Sequence, residues 1–299
     1  MWLIERIYFH LDLEYYDRMI SRIKLNTIKK IAMIKKITFF IMFLFIFLMW
    51  INQPAFAVQP IHLYLLIGQS NMSGRGEIPD VRYTNKNIIM FGNDYIWKRA
   101  IEPVDTPRNQ IDKISLDEQE PGIGYGLSMS FAKRMRELTK YKIGLIPCAK
   151  SGSGIIEWIP SKSRSTLYGS CVRRAKIALR HSNTVLSGII VFQGETDSEL
   201  CTHARDWDKH FAYIVKSIRR DLEDKNLRIV FARLGEYVPR QNPCWYIVKN
   251  SQSKVNINNV SMLNTNSVPH VDINNVHYDS GGYDQLGIMF AESMAAMMK

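Results

Sequence analysis

The stretch IHLYLLIGQSNMSG, residues 61–74, decides how this chain is read. Ile61 to Ile67 is almost continuously apolar, too short for an ordinary helix and lacking the alternation of a half-exposed strand. Such a run is a strand buried on both faces. It breaks at Gly68 and passes directly into Gln69, Ser70 and Asn71. A serine placed where a buried strand ends at glycine stands at the sheet edge with its backbone N–H free, which suits a nucleophile. The alternative for the same residues is a polar turn.

The pattern recurs downstream. Ile88–Phe91, Lys142–Pro147, Gly188–Gln193, Arg228–Arg233 and Val260–Leu263 read as further strands, and Leu127, Phe131, Met135 and Leu138 share one helix face. Helical stripes follow over roughly 168–180, 204–223, 240–254 and 283–298. Alternation of this kind predicts an α/β fold, a central parallel sheet covered on both faces. Ligands bind such sheets beyond the carboxyl ends of the strands, and four of those ends are polar: Gly68–Gly74, Cys148–Gly154 (CAKSGSG), Gln193–Asp197 (QGETD) and Asp272–Asp279 (DINNVHYD). The glycines of the second let backbone N–H groups approach a ligand, the third supplies an amide and two carboxylates, and the fourth supplies His277. Taken singly, each has a plainer reading: a flexible loop, a helix N-cap at Asp197, a structural histidine.

With 46% apolar and 22% charged residues, 17 Gly and 11 Pro among 299, the chain is neither collagen-like, low-complexity nor wholly disordered. Its formal charge is +11, and residues beyond 57 hold 31 Lys/Arg against 24 Asp/Glu. These cations are scattered, and Arg173–Arg174 falls in a helical pattern as a solvated face, so no nucleic-acid partner is expected. Ile37–Ile51 (ITFFIMFLFIFLMWI) follows Lys35 and Lys36 and precedes Ala55-Phe56-Ala57. This is the succession of a secretory signal peptide; a membrane anchor is the alternative, but the run is shorter than the ~20 residues of a span. The organisation expected is therefore 1–32 as a spurious or unusual extension ahead of a conventional start at Met33, 33–57 as signal peptide, and 58–299 as one secreted or periplasmic domain, not stably membrane-bound after cleavage. Its four cysteines, Cys148, Cys171, Cys201 and Cys244, permit three disulfide pairings or remain as buried thiols. Cys201, His203 and His210 lack zinc-site spacing and read as structural.

The polar segments, in their order, resemble the sialate O-acetylesterase and acetylxylan esterase group of the SGNH hydrolases, the sixth family of carbohydrate esterases. The family's GQSNM block stands as Gly68–Met72, its glycine-rich block as Pro147–Trp158 with Ser151 where a glycine is usual, its YQGESD as Phe192–Asp197, and its histidine block as Asn274–Gly287. The resemblance spans about residues 60–298. It implies a three-layer α/β/α sandwich of flavodoxin-like SGNH type, and removal of O-acetyl groups from a carbohydrate through an acyl-enzyme. Ser70 would be the nucleophile and His277 the general base. The Ser70 N–H, the Gly152 N–H and the Gln193 amide would form the oxyanion hole, and Gln69, Asn71 and Trp158 would bind substrate. No metal or organic cofactor is implied. Asn274 stands where an aspartate is usual, so Glu195 is the first and Asp272 the second choice to orient His277. Two other readings stay open: a lipase-like or thioesterase SGNH hydrolase, and a carbohydrate-binding pseudoenzyme.

The signal-peptide reading predicts that exported material begins at or near Val58. Intact-mass measurement checks this, and a membrane-bound chain retaining residues 37–51 would count against it.

Overall fold

The apolar run from residue 61 forms β1 (Ile61–Gly68), in which Leu63, Tyr64 and Leu65 are inaccessible to solvent. The computed structural model describes residues 2–51, 59–117, 122–161, 163, 165–236, 242–272 and 275–299, with side chains from residue 15 onward except that of residue 51. Two separate units result, Met1–Ala57 and Val58–Lys299. The first is one helix, α1 (Trp2–Ile51). Its Tyr15–Trp50 portion holds an 18-residue window of mean hydropathy 2.3 and is long and apolar enough to cross a membrane, a criterion that signal sequences also meet. The expected cleavage stretch, Ala55 to Val58, lies outside the described residues.

In the second unit, β1 is followed by α2 (Ser70–Ser73), β2 (Ile88–Phe91), β3 (Trp97–Arg99), α3 (Ser128–Thr139), β4 (Lys142–Pro147) and α4 (Leu167–Ala178). Then come β5 (Thr184–Phe192), α5 (Cys201–Ala204), α6 (Trp207–Asp221), β6 (Ile229–Arg233), α7 (Trp245–Gln252), β7 (Val260–Asn264) and α8 (Ser280–Ala296). The described strands make one seven-stranded sheet in the order β3-β2-β4-β1-β5-β6-β7. Every neighbouring pair is parallel except β2–β3, so the expected parallel sheet carries one antiparallel edge. That edge arises from a turn in which the Tyr95 N–H donates to the Gly92 carbonyl (2.9 Å) and the Gly92 N–H to that of Ile96 (3.2 Å). Three residues are too few to show a period, which is why β3 left no signal. The helix expected over 204–223 is split, with α6 starting at Trp207.

Alternation along the strands assigns the layers. Tyr64 meets Phe131 of α3, and Phe192, which pairs with Gly68, meets Phe290 of α8. On the opposite face, Phe231 packs against Trp207 and Phe211 of α6. Helices thus cover both faces, in the three layers expected. Arg174 of α4 departs from its expected solvated face: it is 1% exposed, because its guanidinium reaches inward to Asp112 (3.1 Å), the Pro147 carbonyl and Asn93.

At the carboxyl edge the strand ends are tied together. The Gln69 N–H donates to the Phe192 carbonyl (3.1 Å), the Cys148 N–H to that of Leu66 (2.9 Å) and the Lys150 N–H to that of Gly68 (3.0 Å). All four cysteines are paired, Cys148 with Cys171 and Cys201 with Cys244. The first bridge fastens the segment after β4 to α4, and the second fastens the start of α5 to the residue preceding α7.

Gly68 is where this edge is tightest, since a Cβ there would lie 2.0 Å from the Phe192 carbonyl oxygen. Gly68→Ala is therefore expected to destabilise the domain by about 3 kcal/mol, the upper part of the usual range for overpacking against unyielding neighbours. Urea unfolding of the variant beside the parent measures this; a loss under about 1 kcal/mol would mean that the edge relaxes freely.

Candidate active site

Because β1 breaks at Gly68, Ser70 opens the single turn of α2 at the carboxyl edge of the sheet. His277 arrives 207 residues later on the segment before α8, and its Nε2 lies 2.9 Å from Ser70 Oγ. For Nε2 to accept the serine proton, the ring must carry its own proton on Nδ1. The segment is fixed by its own bonds: the Val271 N–H donates to the His277 carbonyl (3.0 Å), and the His277 N–H to Asn275 Oδ1 (3.0 Å). Burial first, then the positive charge of Arg75 and of His270, pull the His277 pKa down to about 4. The imidazole is thus neutral, the form a base requires, across the physiological range.

Arg75 reaches this site from the turn after α2. Its guanidinium donates to Asp117 Oδ2 (3.0 Å), to the Gly74 carbonyl (2.9 Å) and to the hydroxyl of Ser151. The serine standing at a usual glycine position therefore joins the segment after β4 to the turn that carries Ser70. Beneath that segment, Asp105 accepts from the Ala149 N–H (3.1 Å) and from Asn93 (2.7 Å), which is itself held by Arg174. Gly152 adopts φ +69°, a left-handed conformation suited to glycine, and is exposed. Among the described residues, neither its N–H nor that of Ser70 is spent on another hydrogen bond.

The remaining expected site residues are placed otherwise. Gln193 is buried with its amide consumed: Nε2 donates to Asp197 and to the Ser153 carbonyl (3.2 Å), and Oε1 accepts from Trp207 Nε1 (2.6 Å). Both of its N–H groups are occupied, so as placed it is not a third oxyanion donor. Asn71 is fully buried and also saturated. Its Nδ2 donates to Glu195 Oε1 (2.6 Å) and the Val276 carbonyl (3.0 Å), and its Oδ1 accepts from the Tyr283 hydroxyl (2.9 Å). Gln69 accepts from the Thr196 N–H (3.3 Å), and the indole of Trp158 donates to Ser153 Oγ (3.1 Å); both are buried. Asn71, the Gln69 side-chain oxygen and the Trp158 indole N–H are thus engaged in holding the walls of the site together.

Glu195, the expected partner of His277, engages Asn71 instead: Oε1 accepts from Asn71, and Oε2 has no hydrogen-bond partner among the described residues. The end of β5 directs its carboxyl toward α2, where Asn71 lies between it and Val276. Burial pushes its pKa up to about 7, against the opposing pull of the Asn71 bond. Asp272 lies exposed on the loop leading to His277, and its carbonyl accepts from the Asn275 N–H (3.2 Å). Asn274 lies outside the described residues. Arg75 and Tyr283 were not among the sequence candidates. Their signal, an arginine just after the serine motif and a tyrosine six residues after the histidine, has no meaning until Asn71 and Ser151 are in place.

The family model described as "Carbohydrate esterase, sialic acid-specific acetylesterase" matches residues 60–296. A protein of Arabidopsis thaliana named "Probable carbohydrate esterase" is 26% identical over 256 residues, covering 79% of this chain and 91% of that protein. A solved Arabidopsis thaliana structure has a TM-score of 0.68 at 24% identity, covering 79% of this chain and 98% of that one. The structure of NanS gives 0.62 at 14% identity, covering 81% and 99%. A carbohydrate acetylesterase from Xanthomonas citri gives 0.54 at 17%, covering 77% and 54%. At these identities, the structural likenesses speak for the fold.

The buried carboxyl of Glu195 has a consequence for stability. With a folded pKa near 7 against 4.5 when exposed, the folded state binds the extra proton between those values, so its contribution to stability falls as pH rises through that window. Relative to Glu195→Gln, which shares every other titrating group, the parent should lose on the order of 3 kcal/mol between pH 4 and pH 8. Urea unfolding of both proteins at the two pH values tests this. A difference that does not change with pH would show that Glu195 titrates normally.

Proposed function

The chain belongs to the sialic acid-specific acetylesterase family of carbohydrate esterases, and from that premise we propose that it is an exported enzyme that cleaves O-acetyl esters of a glycan with Ser70 as nucleophile. Membership makes it a carboxylic ester hydrolase acting on acetylated carbohydrate. The observation that carries the assignment of residues is the 2.9 Å contact between Ser70 Oγ and His277 Nε2.

In the first half-reaction, Ser70 Oγ attacks the acetyl carbonyl carbon while His277 Nε2 takes the serine proton. The negative charge that develops on the carbonyl oxygen is met by the Ser70 and Gly152 N–H groups, donors that need no reorganisation. The tetrahedral intermediate collapses as the sugar oxygen leaves with the proton from His277, and the acetyl group stays on Ser70. In the second half-reaction, water attacks that ester with His277 again as base, and acetate departs. Glu195 acts through Asn71, which grips the Val276 carbonyl beside His277; its part is to position the base. Asp272, five residues before His277 on the same loop, is the carboxylate whose movement would bring charge to Nδ1.

Export is supported by the apolar N-terminal helix and by the two disulfides, which persist in oxidising compartments. In this reading, residues 33–57 are removed and 58–299 form the working domain.

Acetate release from acetylated xylan, from O-acetylated sialic acid and from O-acetylated peptidoglycan fragments, together with p-nitrophenyl acetate turnover, tests the proposal and ranks the substrates. Ser70→Ala should lower each active rate by ~10⁴ to 10⁶ with the fold intact. Activity within tenfold of the parent would remove Ser70 from its role, and preference for long acyl chains would favour the lipase-like alternative.

A further inference from the structure

We propose that Arg75 is a positioning residue for the oxyanion hole, setting through the hydroxyl of Ser151 where the Gly152 N–H stands relative to the Ser70 N–H. The inference rests on the serine-esterase reading above, in which those two groups meet the developing negative charge. Two donors on separate segments serve one oxygen only while the segments keep their separation. Ser70 follows β1 and Gly152 follows β4. Their separation therefore depends on what joins the two segments beyond the sheet.

The stem of the second segment is anchored without Arg75. The Lys150 N–H donates to the Gly68 carbonyl (3.0 Å), and the Lys150 carbonyl accepts from the Ser153 N–H (3.3 Å) and from Ser153 Oγ (2.7 Å). The Ser153 carbonyl accepts from Gln193 Nε2 (3.2 Å), and Ser153 Oγ from Trp158 Nε1 (3.1 Å). Lys150 and Ser153 are thus held, and Ser151 and Gly152 form the tip of the turn between them. At that tip the Arg75 guanidinium grips the Ser151 hydroxyl.

Arg75 is itself immobilised. Its side chain is 6% exposed and donates to Asp117 Oδ2 (3.0 Å), Ser73 Oγ (3.3 Å) and the Gly74 carbonyl (2.9 Å). Two of those partners belong to the turn that presents the nucleophile: the Gly74 N–H donates to the Ser70 carbonyl (2.8 Å), and Ser73 Oγ donates to the same oxygen (3.2 Å). The guanidinium also lies close enough to the reacting centre for its charge to depress the His277 pKa. A planar fork of fixed donors can hold both segments at once, which a lysine, a point charge on a flexible stem, does not. The hydroxyl it grips stands where the family's block usually has glycine, so this bond is a feature of the chain rather than of the motif.

The test measures kcat and KM on p-nitrophenyl acetate, and on each acetylated glycan the parent cleaves, for the parent, Ser151→Ala, Arg75→Lys and the double variant carrying both, with urea unfolding of each. Ser151→Ala removes only the gripped hydroxyl and should lower kcat about tenfold with KM within about twofold, a fraction of the loss that follows removal of a whole oxyanion donor. Its urea midpoint should stay close to the parent's. Arg75→Lys should lower kcat further, and the double variant should be no slower than Arg75→Lys alone, because both changes break the same connection. Ser151→Ala decides by itself if Arg75→Lys does not fold. Parental kcat in Ser151→Ala, a rise in KM with kcat unchanged, or losses that multiply in the double variant overturns the positioning role and leaves the esterase reading standing. A parent inactive on every ester overturns that reading, and the positioning role with it.

Discussion

The side-chain amide of Asn71 is the junction on which the site depends. Its donors and acceptor join the end of β1 to Glu195 after β5, to the Val276 carbonyl on the histidine segment and to Tyr283 in α8. Ser70 and His277 come from opposite ends of the domain, and no local preference brings them together. A fully buried amide with every hydrogen-bonding group satisfied fixes the relative position of all these segments, since any displacement leaves a polar group buried without a partner. The neighbouring bonds repeat the logic on the other side of Ser70, where Arg75 ties the turn after α2 to Ser151 and to Asp117.

Much of this fold could be read from residue order alone. The runs Ile61–Ile67 and Lys142–Pro147 and the stripe Leu127, Phe131, Met135 signal strand and helix because burial imposes a period on them. That Ser70 and His277 would meet was legible because the ends of parallel strands are where ligands bind, and the four blocks stand in family order. What escaped the reading is the partnering of polar side chains across the sheet. Gln193 and Trp158 have the composition of ligand-facing groups, but each spends its donors on the protein. Nothing in the order of residues reveals that Asp197, four positions on, will take its N–H or that Trp207, fourteen on, will donate to its oxygen. Arg174 was misjudged for the same reason: a cation on a helix reads as solvated until its counter-charge, Asp112, and its acceptor, the Pro147 carbonyl, are seen.

The electrostatic character of the site follows from where water is excluded. Glu195 is buried and His277 half-buried, and the cost of desolvating their charged forms moves their pKa values in opposite directions, the carboxyl up and the imidazole down. Both shifts favour the neutral species. A neutral histidine is ready to accept a proton from Ser70, and the charge it then acquires is what the surroundings must accommodate. The walls around it are held by Asp105, Trp158 and the Cys148–Cys171 bridge.

The antiparallel edge has a consequence outside the site. An open sheet ends in unpaired backbone groups, and a long flat edge is a template on which a second chain can add a strand. In this domain that edge is β3, three residues long, and two of its residues are Lys98 and Arg99. A second molecule approaching edge to edge would find few bonds to make and would bring like charges together. At the opposite edge, β7 is flanked by α8, where Ser261 and Ser293 share a hydrogen bond at 3.0 Å. The short strand that gave no sequence signal thus leaves the sheet, at this end, an edge poorly suited to adding a second chain.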